Sequence, residues 1–153
     1  MRVIVAAVGK PRNAALAAAI EFYETRAGRY WPLDVREVRE EPARATAPDQ
    51  VREREGERLA SRIEGADLVV CDERGEAMTS AAFARFLQEA RERARDVAFV
   101  IGGAYGLSPA LRKRAARRLA LAPWTLPHEM ARLVLAEQIY RAGTIVRGEP
   151  YHK

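Results

Sequence analysis

The sequence predicts an α/β protein with a mostly parallel sheet covered by helices on both faces. Short apolar runs alternate with longer helical segments, and most of these runs are continuously apolar instead of alternating with polar residues. The chain has 153 residues, of which 48% are hydrophobic, which is enough to build one core. No internal repeat or linker interrupts the pattern. We therefore predict a single domain over residues 1–153.

Five strands and five helices follow from the pattern. The strands are expected at Val3–Val8, Leu33–Val38, Asp67–Cys71, Val97–Ile101 and Leu119–Leu121. The helices are expected at Ala14–Ala27, from Asp49 to about Glu64, from Thr79 or Ser80 to about Arg95, from Ser108–Pro109 to near Arg118, and from Pro127 to about Val146. The charged segment 39–48 is predicted to be a mobile loop, and Asp72–Gly75 a turn.

Composition excludes several classes of protein. Cys71 is the one cysteine, so a disulfide scaffold is excluded. The two histidines, His128 and His152, are too far apart to share a helical turn and have no thiolates to join them, so we expect no metal site. No apolar run approaches the roughly 20 residues of a membrane span, and Val3–Val8 is too short for a signal peptide. We expect a cytoplasmic protein with no membrane partner.

The positive charge is concentrated in the last third of the chain. Residues 1–106 contain 17 basic and 18 acidic side chains, whereas residues 107–153 contain nine basic and three acidic ones. This asymmetry favours a polyanionic partner such as RNA, although a solvated basic helix is the alternative for Arg112–Arg118. Few aromatic residues lie among these arginines, which argues against a stacking platform for single strands.

The loop after the fourth predicted strand contains Gly102, Gly103 and Gly106. Ligands of open α/β sheets collect at the carboxyl ends of strands, so this is the first place to look for a site. The spacing does not match the dinucleotide fingerprint, and no acidic residue lies between Asp96 and Glu129 to hold a ribose. Taken alone, the glycines favour a tight turn over close approach of the backbone to a ligand.

A second loop, Leu121–Leu126, is apolar and uncharged although it follows the arginine-rich segment. Such a loop either packs in the core or contacts an adenine and a thioether. A sulfonium cofactor would suit a pocket without arginine, because like charges repel. The sequence pattern alone leaves both interpretations open.

Several motifs together resemble a known family. They are Phe99-Val-Ile-Gly-Gly-Ala-Tyr-Gly-Leu-Ser108, Leu126-Pro-His128, Glu137-Gln-Ile-Tyr-Arg141 and Arg147-Gly-Glu-Pro-Tyr-His-Lys153, in that order. The chain resembles, over nearly its whole length, the ribosomal RNA large subunit methyltransferase H family of the SPOUT superfamily. The resemblance implies a carboxyl-terminal trefoil knot and a homodimer that binds S-adenosylmethionine. It further implies methylation of N3 of a pseudouridine in large-subunit ribosomal RNA on assembled ribosomes.

The resemblance also implies site residues. The cofactor contacts fall on Cys71, Gly102, Leu121, Ala122, Pro123, Trp124, Thr125 and Leu126. Related chains often have a serine and a polar residue where Ala122 and Pro123 stand, and Pro123 has no N–H to donate. They also often have a lysine where this chain has Glu76.

Methylation of a uracil N3 requires that the imide lose its proton, so a general base or nearby cations would lower the barrier. Guided by the resemblance, we take His152 as the leading base, and Arg141, Glu137 and Tyr151 as further catalytic candidates. Glu137 and Arg141 lie four residues apart on one helix face, as either a surface ion pair or a substrate contact oriented by Glu137. His128 is interpreted as structural, and Cys71 as a small hydrophobe that contacts cofactor through its backbone.

The remaining assignments concern partners. The RNA-facing residues are predicted to be Arg112, Lys113, Arg114, Arg117 and Arg118 on one helix, together with Lys153. The last helix is the expected dimer surface, through Met130, Leu133, Val134 and Ile139, unless these pack inside the monomer. The rival functions are a ribosome-binding module without catalysis, a knotted methyltransferase acting on transfer RNA, and, less favoured, a small-molecule enzyme.

Overall fold

The structure is a computed structural model that describes residues 1–42 and 47–152, without the side chain of His152. Five parallel strands form one sheet in the order β2-β1-β4-β3-β5. Their bounds are β1 Val3–Val8, β2 Leu33–Val38, β3 Asp67–Ala77, β4 Val97–Ile101 and β5 Arg117–Ala120. The mostly parallel α/β class is confirmed. The trefoil knot stays a prediction.

Helices cover both faces of this sheet. They are α1 Ala14–Ala27, α2 Pro48–Ala60, α3 Ser80–Glu92, α4 Pro109–Arg114 and α5 His128–Val146, followed by a short 3-10 turn at Pro150–His152. Asn13, Thr79 and Ser108 cap α1, α3 and α4 with their side-chain oxygens. No helix in the described ranges has the length and apolar character needed to cross a membrane.

The continuous apolar runs arise because the inner strands are buried on both sides. Alternate residues of β1, such as Val3 and Val5, belong to a core shared with α1, α3 and α5. The intervening residues, such as Ile4 and Ala6, belong to a second core with residues of α2 and α4. The edge strand β2 is only half-buried, as its alternating sequence predicts.

The predicted arginine-rich helix is wrong in its extent. Helix α4 ends at Arg114, and Ala115 is already extended. The N–H of Ala116 donates to the carbonyl of Leu68, and Arg117 and Arg118 then pair with Val69 and Val70. Pairing with the sheet edge outweighs the helical preference of these arginines, because ladder hydrogen bonds and burial of Leu119 are tertiary gains.

Four other boundaries differ from prediction. Strand β3 continues through the expected turn at Asp72–Gly75, because it pairs with β5 on both sides of an irregularity between Cys71 and Glu76. Helix α2 begins after Ala47 with Pro48 in its first turn, so Asp49 lies inside the helix instead of capping it. Helices α2 and α3 end earlier than expected, at Ala60 and Glu92. Residues 43–46 of the predicted mobile loop lie outside the described residues.

Two buried polar contacts fix α5 across the α1 side of the sheet. The indole N–H of Trp31, a wholly buried residue, donates to the carbonyl of Ile139 at 3.0 Å. The Arg132 guanidinium pairs with Glu24 and Glu37, each at 2.8 Å, and its side chain is only 7% exposed. Because a buried cation is tolerated only when it is paired, these carboxylates determine where α5 can lie.

Candidate active site

A cavity of about 600 Å³ opens at the carboxyl ends of β4 and β5 and beside the middle of β3, where its pairing with β5 is irregular. This is the edge of a parallel sheet at which ligands are expected. Nearly all the residues predicted to contact a cofactor line it, although they come from three separate parts of the chain: Cys71, Gly102, Leu121, Ala122, Trp124, Thr125 and Leu126. Pro123 is the exception, so its missing N–H does not face the cavity.

The glycine loop forms one wall of this cavity. Gly106 has a φ of +82°, and its N–H donates to the carbonyl of Gly103 at 3.0 Å, so the segment is a tight turn as predicted. Gly102 is needed for a different reason, which is close packing: a Cβ on it would lie 2.6 Å from the carbonyl carbon of Gly106. The loop therefore needs glycine both for its turn and for its compactness, and it lines the cavity as well.

The opposite wall consists of the segments after β5 and within β3. The hydroxyl of Thr125 donates to the Glu73 carboxylate, which ties these two segments together. Cys71 is half-buried, and burial of its thiol raises the pKa to about 12. The thiol is therefore neutral and unreactive at physiological pH, in agreement with its interpretation as a small hydrophobe.

Arg112 lies in the cavity wall and not on an outward helix face. Its Nε is 3.0 Å from Oδ2 of Asp72, whose side chain is 4% exposed. The N–H of Arg74 also donates to Asp72, at 3.0 Å. An arginine in this wall departs from the expectation for a sulfonium pocket, but Asp72 neutralises it and Glu73 adds a negative charge.

His128, which the sequence pattern favoured as structural, also lines the cavity at the start of α5. Its neighbour Glu129 accepts hydrogen bonds from the N–H groups of Arg12, at 2.7 Å, and Asn13, and these lower its pKa. Asp72, Glu73 and Tyr105 were likewise missed as cavity residues. For Asp72 and Glu73 a signal existed, because they directly follow a buried run that ends at the site-forming edge of the sheet.

A buried carboxyl group lies directly behind the glycine loop. Glu55 of α2 is 4% exposed; its Oε1 accepts from the N–H of Glu41 at 3.0 Å, and its Oε2 has no partner in the described residues. A Cβ on Gly103 would lie 2.7 Å from that Oε2, so the carboxyl packs against the loop. Burial raises the pKa of Glu55.

The raised pKa of Glu55 predicts a pH-dependent effect of Glu55→Gln. The folded state holds the proton more tightly than the unfolded state, so the wild type loses stability as pH rises from about 4.3 to the raised pKa. We expect equal free energies of unfolding near pH 4 and an advantage of about 1 kcal/mol for Glu55→Gln at pH 8. Urea denaturation at several pH values measures this, and a difference independent of pH would contradict it.

Three of the predicted catalytic residues, Glu137 and Arg141 on α5 and Tyr151 in the turn after it, form a second cluster. Oε1 of Glu137 accepts from Nε of Arg141 at 2.9 Å and from the phenol of Tyr151 at 3.1 Å. The Arg141 guanidinium also lies 4.8 Å from the centre of the Tyr151 ring. Glu137 therefore orients both partners at once, which is more than an isolated surface ion pair does.

The charges of this cluster are set by its contacts. The hydrogen bond from Arg141 to Glu137 raises the pKa of Arg141. Partial burial is the main cause that raises the pKa of Tyr151, and the hydrogen bond with Tyr23 and the charge of Glu137 add to it. The phenol is therefore neutral at neutral pH. The cluster thus presents a fixed cation beside a neutral phenol. The side chain of His152 and all of Lys153 lie outside the described residues.

This cluster does not line the cavity of its own chain. Ala131 is a cavity residue on α5, and Arg141 lies ten residues further along the helix, or about 15 Å at 1.5 Å per residue. Neither Glu137, Arg141 nor Tyr151 is part of the cavity wall. A single subunit therefore keeps the two sets of predicted functional residues apart.

The basic residues predicted to face RNA divide into two groups. Arg112 pairs with Asp72, and Arg117 pairs with Glu76 at 2.8 Å. In the described part of the chain no carboxylate pairs with Lys113, Arg114 or Arg118, all of which are exposed. These three form the basic patch, which borders the cavity through Arg112 and Leu121. The described residues contain no cluster of His, Cys, Asp and Glu side chains that could hold a metal ion.

Comparison with known proteins gives the family. Residues 1–152 match the family profile described as "Predicted SPOUT methyltransferase". The chain is 66% identical to ribosomal RNA large subunit methyltransferase H of Gemmatimonas aurantiaca, over 100% of both chains. The chain belongs to the ribosomal RNA large subunit methyltransferase H family of SPOUT methyltransferases.

Other members and more distant structures agree with this result. The family member from Geobacter sp. strain M21 is 47% identical over 99% of both chains. The fold also matches the tRNA (m1G37) methyltransferase from Aquifex aeolicus, with a TM-score of 0.55 and 9% identity over 92% of this chain and 70% of that one. At that identity the structural match concerns the fold alone. The resemblance to the methyltransferase H family is confirmed.

Proposed function

We propose that this protein uses S-adenosylmethionine to methylate N3 of a pseudouridine in large-subunit ribosomal RNA, on assembled ribosomes in the cytoplasm, as a homodimer. The observation that carries this proposal is the cavity, which is lined by seven of the eight residues predicted to contact a cofactor, in a chain 66% identical to a named methyltransferase H. The coarser part, membership of a methyltransferase family, follows from that identity.

The cavity fits the proposed cofactor in size and in charge. Its volume of about 600 Å³ lies within the usual range for small-molecule sites. Leu121, Leu126 and Cys71 supply apolar surface for an adenine and a thioether. Because Asp72 neutralises Arg112 and Glu73 remains, the wall does not repel a sulfonium cation. When bound, S-adenosylmethionine supplies an electrophilic methyl group on sulfur.

The chain must then position a nitrogen and remove its proton. An in-line transfer depends mainly on orientation, which a rigid glycine loop and an anchored opposite wall can provide. His152 is the proposed base, as the resemblance implies. His128 is the alternative that the structure favours within one subunit, because it lines the cavity. Methyl transfer by His152→Asn and His128→Asn, measured against pH, distinguishes them.

In a dimer, the cluster of Glu137, Arg141 and Tyr151 (the tail cluster) of one subunit would lie at the cavity of the other. Within one chain none of Glu137, Arg141 and Tyr151 lines the cavity, and Arg141 lies about 15 Å along α5 from the cavity residue Ala131. Met130, Leu133 and Val134 are partly exposed on α5 and provide apolar area for a partner. Ile139 does not, because it is wholly buried within the monomer. We propose that each subunit's tail completes the site of its partner.

The basic patch is proposed to bind phosphates of the ribosomal RNA. Each contact releases condensed counterions, so replacing Lys113, Arg114 and Arg118 by glutamine should weaken ribosome binding and reduce the salt slope of log Kd by about 2 to 3. A control triple variant carries glutamine at Arg29, Arg62 and Arg93. These exposed residues follow α1, α2 and α3 and lie before the amino ends of the next strands, away from the cavity. Equal slopes for the two triple variants would contradict the assignment.

The direct test is transfer of labelled methyl from S-adenosylmethionine to assembled ribosomes that lack the modification, followed by mass analysis of the RNA. We expect label on N3 of one large-subunit pseudouridine. Free large-subunit RNA and bulk transfer RNA serve as parallel substrates. Label on transfer RNA alone would support a transfer RNA methyltransferase. A folded protein that binds ribosomes but transfers no label would support the non-catalytic module.

A further inference from the structure

We propose that Trp124 and Tyr105 form an aromatic rim at the mouth of the cavity, which stacks on unpaired bases next to the modified nucleotide. This inference rests on the proposed function and adds the residues that hold the RNA bases. Only four large hydrophobic side chains are exposed in the described residues: Phe22, Tyr105, Trp124 and Tyr151. Two of these four line the cavity, and they lie on different loops.

The backbones of the aromatic rim are fixed while its rings project outward. Trp124 is 76% exposed and Tyr105 is 42% exposed. Nη1 of Arg52, on α2, donates to the carbonyl of Tyr105 at 3.3 Å. Thr125, which follows Trp124, is tied to Glu73. Anchored loops with rigid aromatic side chains lose little conformational entropy when they bind a flat partner.

The surroundings favour an RNA base as the occupant. Lys113 and Arg114 of the basic patch directly follow the cavity residue Arg112, and the three exposed cations of the patch attract a polyanion. Proteins recognise unpaired RNA bases by stacking them on aromatic rings, and a base must leave its helix to reach the cavity. The adenine of a cofactor is a poorer candidate, because the partly buried Leu121, Leu126 and Cys71 already provide an apolar interior.

The kinetic test compares Trp124→Phe with Trp124→Leu, which keeps an apolar side chain but removes the stacking face. We expect Trp124→Leu and Tyr105→Leu each to raise the KM for ribosomes about tenfold, with Trp124→Phe below about threefold. The Kd for S-adenosylmethionine should stay within about twofold in Tyr105→Leu, because Tyr105 is not among the predicted cofactor contacts. A rise in that Kd as large as the rise in KM for ribosomes in Trp124→Leu would overturn the inference. Equal KM values for the leucine and phenylalanine variants would overturn the inference.

Intrinsic fluorescence gives a second readout that does not depend on methyl transfer. Trp31 is wholly buried, so acrylamide should quench mainly Trp124. We expect an RNA stem-loop with an unpaired uridine to protect Trp124 from quenching, and S-adenosylhomocysteine alone to give no protection. Protection by S-adenosylhomocysteine would make Trp124 a cofactor contact. Loss of dimers by Trp124→Leu in sedimentation would make it a subunit contact. Either result overturns the inference.

The two proposals can fail separately. If the wild type transfers no methyl group but RNA protects Trp124 from quenching, the proposed RNA contact of the aromatic rim is supported and the proposed reaction is contradicted. If methyl transfer occurs but RNA does not protect Trp124 from quenching, the proposed reaction is supported and the proposed RNA contact of the aromatic rim is contradicted.

Discussion

Gly102→Ala is expected to weaken binding of S-adenosylmethionine by about 5- to 150-fold, because overpacking of a tight site costs roughly 1–3 kcal/mol and distorts the loop. The added Cβ would lie 2.6 Å from the carbonyl carbon of Gly106 and 2.8 Å from its oxygen. These neighbours are backbone atoms of a closed turn, so they cannot move aside as a flexible side chain does. The loop must open, and it can open only into the cavity or away from β4.

Titration calorimetry with S-adenosylmethionine measures this loss. Gly28→Ala is the matched control, because its Cβ would make only ordinary contacts at 3.5 Å and its φ of −59° suits alanine. Circular dichroism and thermal unfolding establish that both variants are folded. Unchanged affinity in a folded Gly102→Ala protein would mean that the glycine loop is not a cofactor wall, and the cavity assignment would then fail.

Arg141→Ala is expected to lower kcat for methyl transfer by about 100-fold or more, as loss of a positioned charge in an active site does. The Kd for S-adenosylmethionine should not change, because Arg141 is not part of the cavity of its own chain. Arg141→Lys should recover part of the activity, since it restores the charge but not the two-nitrogen contact with Glu137. A surface ion pair without function would leave kcat unchanged.

A mixing experiment tests whether the two clusters meet across a dimer. Arg141→Ala has an intact cavity, and Gly102→Ala has an intact tail, so each homodimer should be inactive. When the two variants are unfolded together and refolded in equal amounts, half of the dimers are mixed and each has one complete site. Recovery of about a quarter of the wild-type activity per site is expected for a two-fold dimer. No recovery in a preparation shown to contain mixed dimers would place both clusters in one subunit.

The arginine-rich segment illustrates where local reasoning fails. Residues 112–118 favour a helix by composition, and the sequence predicts one outward basic face. The structure divides them among three environments: a cavity wall for Arg112, exposed positions for Lys113 and Arg114, and an edge strand for Arg117 and Arg118. Ladder hydrogen bonds to β3 and pairing with Asp72 decide this, and both partners lie about 40 residues away in the chain.

The aromatic rim is a second example. The scarcity of aromatic residues among the arginines argued against a stacking platform for single strands, but that pattern does not cover aromatic side chains on other loops. Tyr105 and Trp124 come from loops after different strands, and parallel strand ends bring both loops to one edge of the sheet. The spacing of Tyr105 and Trp124 along the sequence does not indicate that both line one cavity.

The sequence by itself determined the features that depend on local pattern and on resemblance. Continuous apolar runs predicted a parallel sheet buried on both faces, since such strands have no solvated side. The motifs from Phe99 to Lys153 identified the family, and seven of the eight residues that the resemblance assigned to the cofactor line the cavity. Only the tertiary structure decided which charges are paired, that His128 lines the cavity, and that Arg141 lies about 15 Å along α5 from the cavity residue Ala131. The physical reason is that pairing and burial join residues distant in sequence, so no local pattern specifies them.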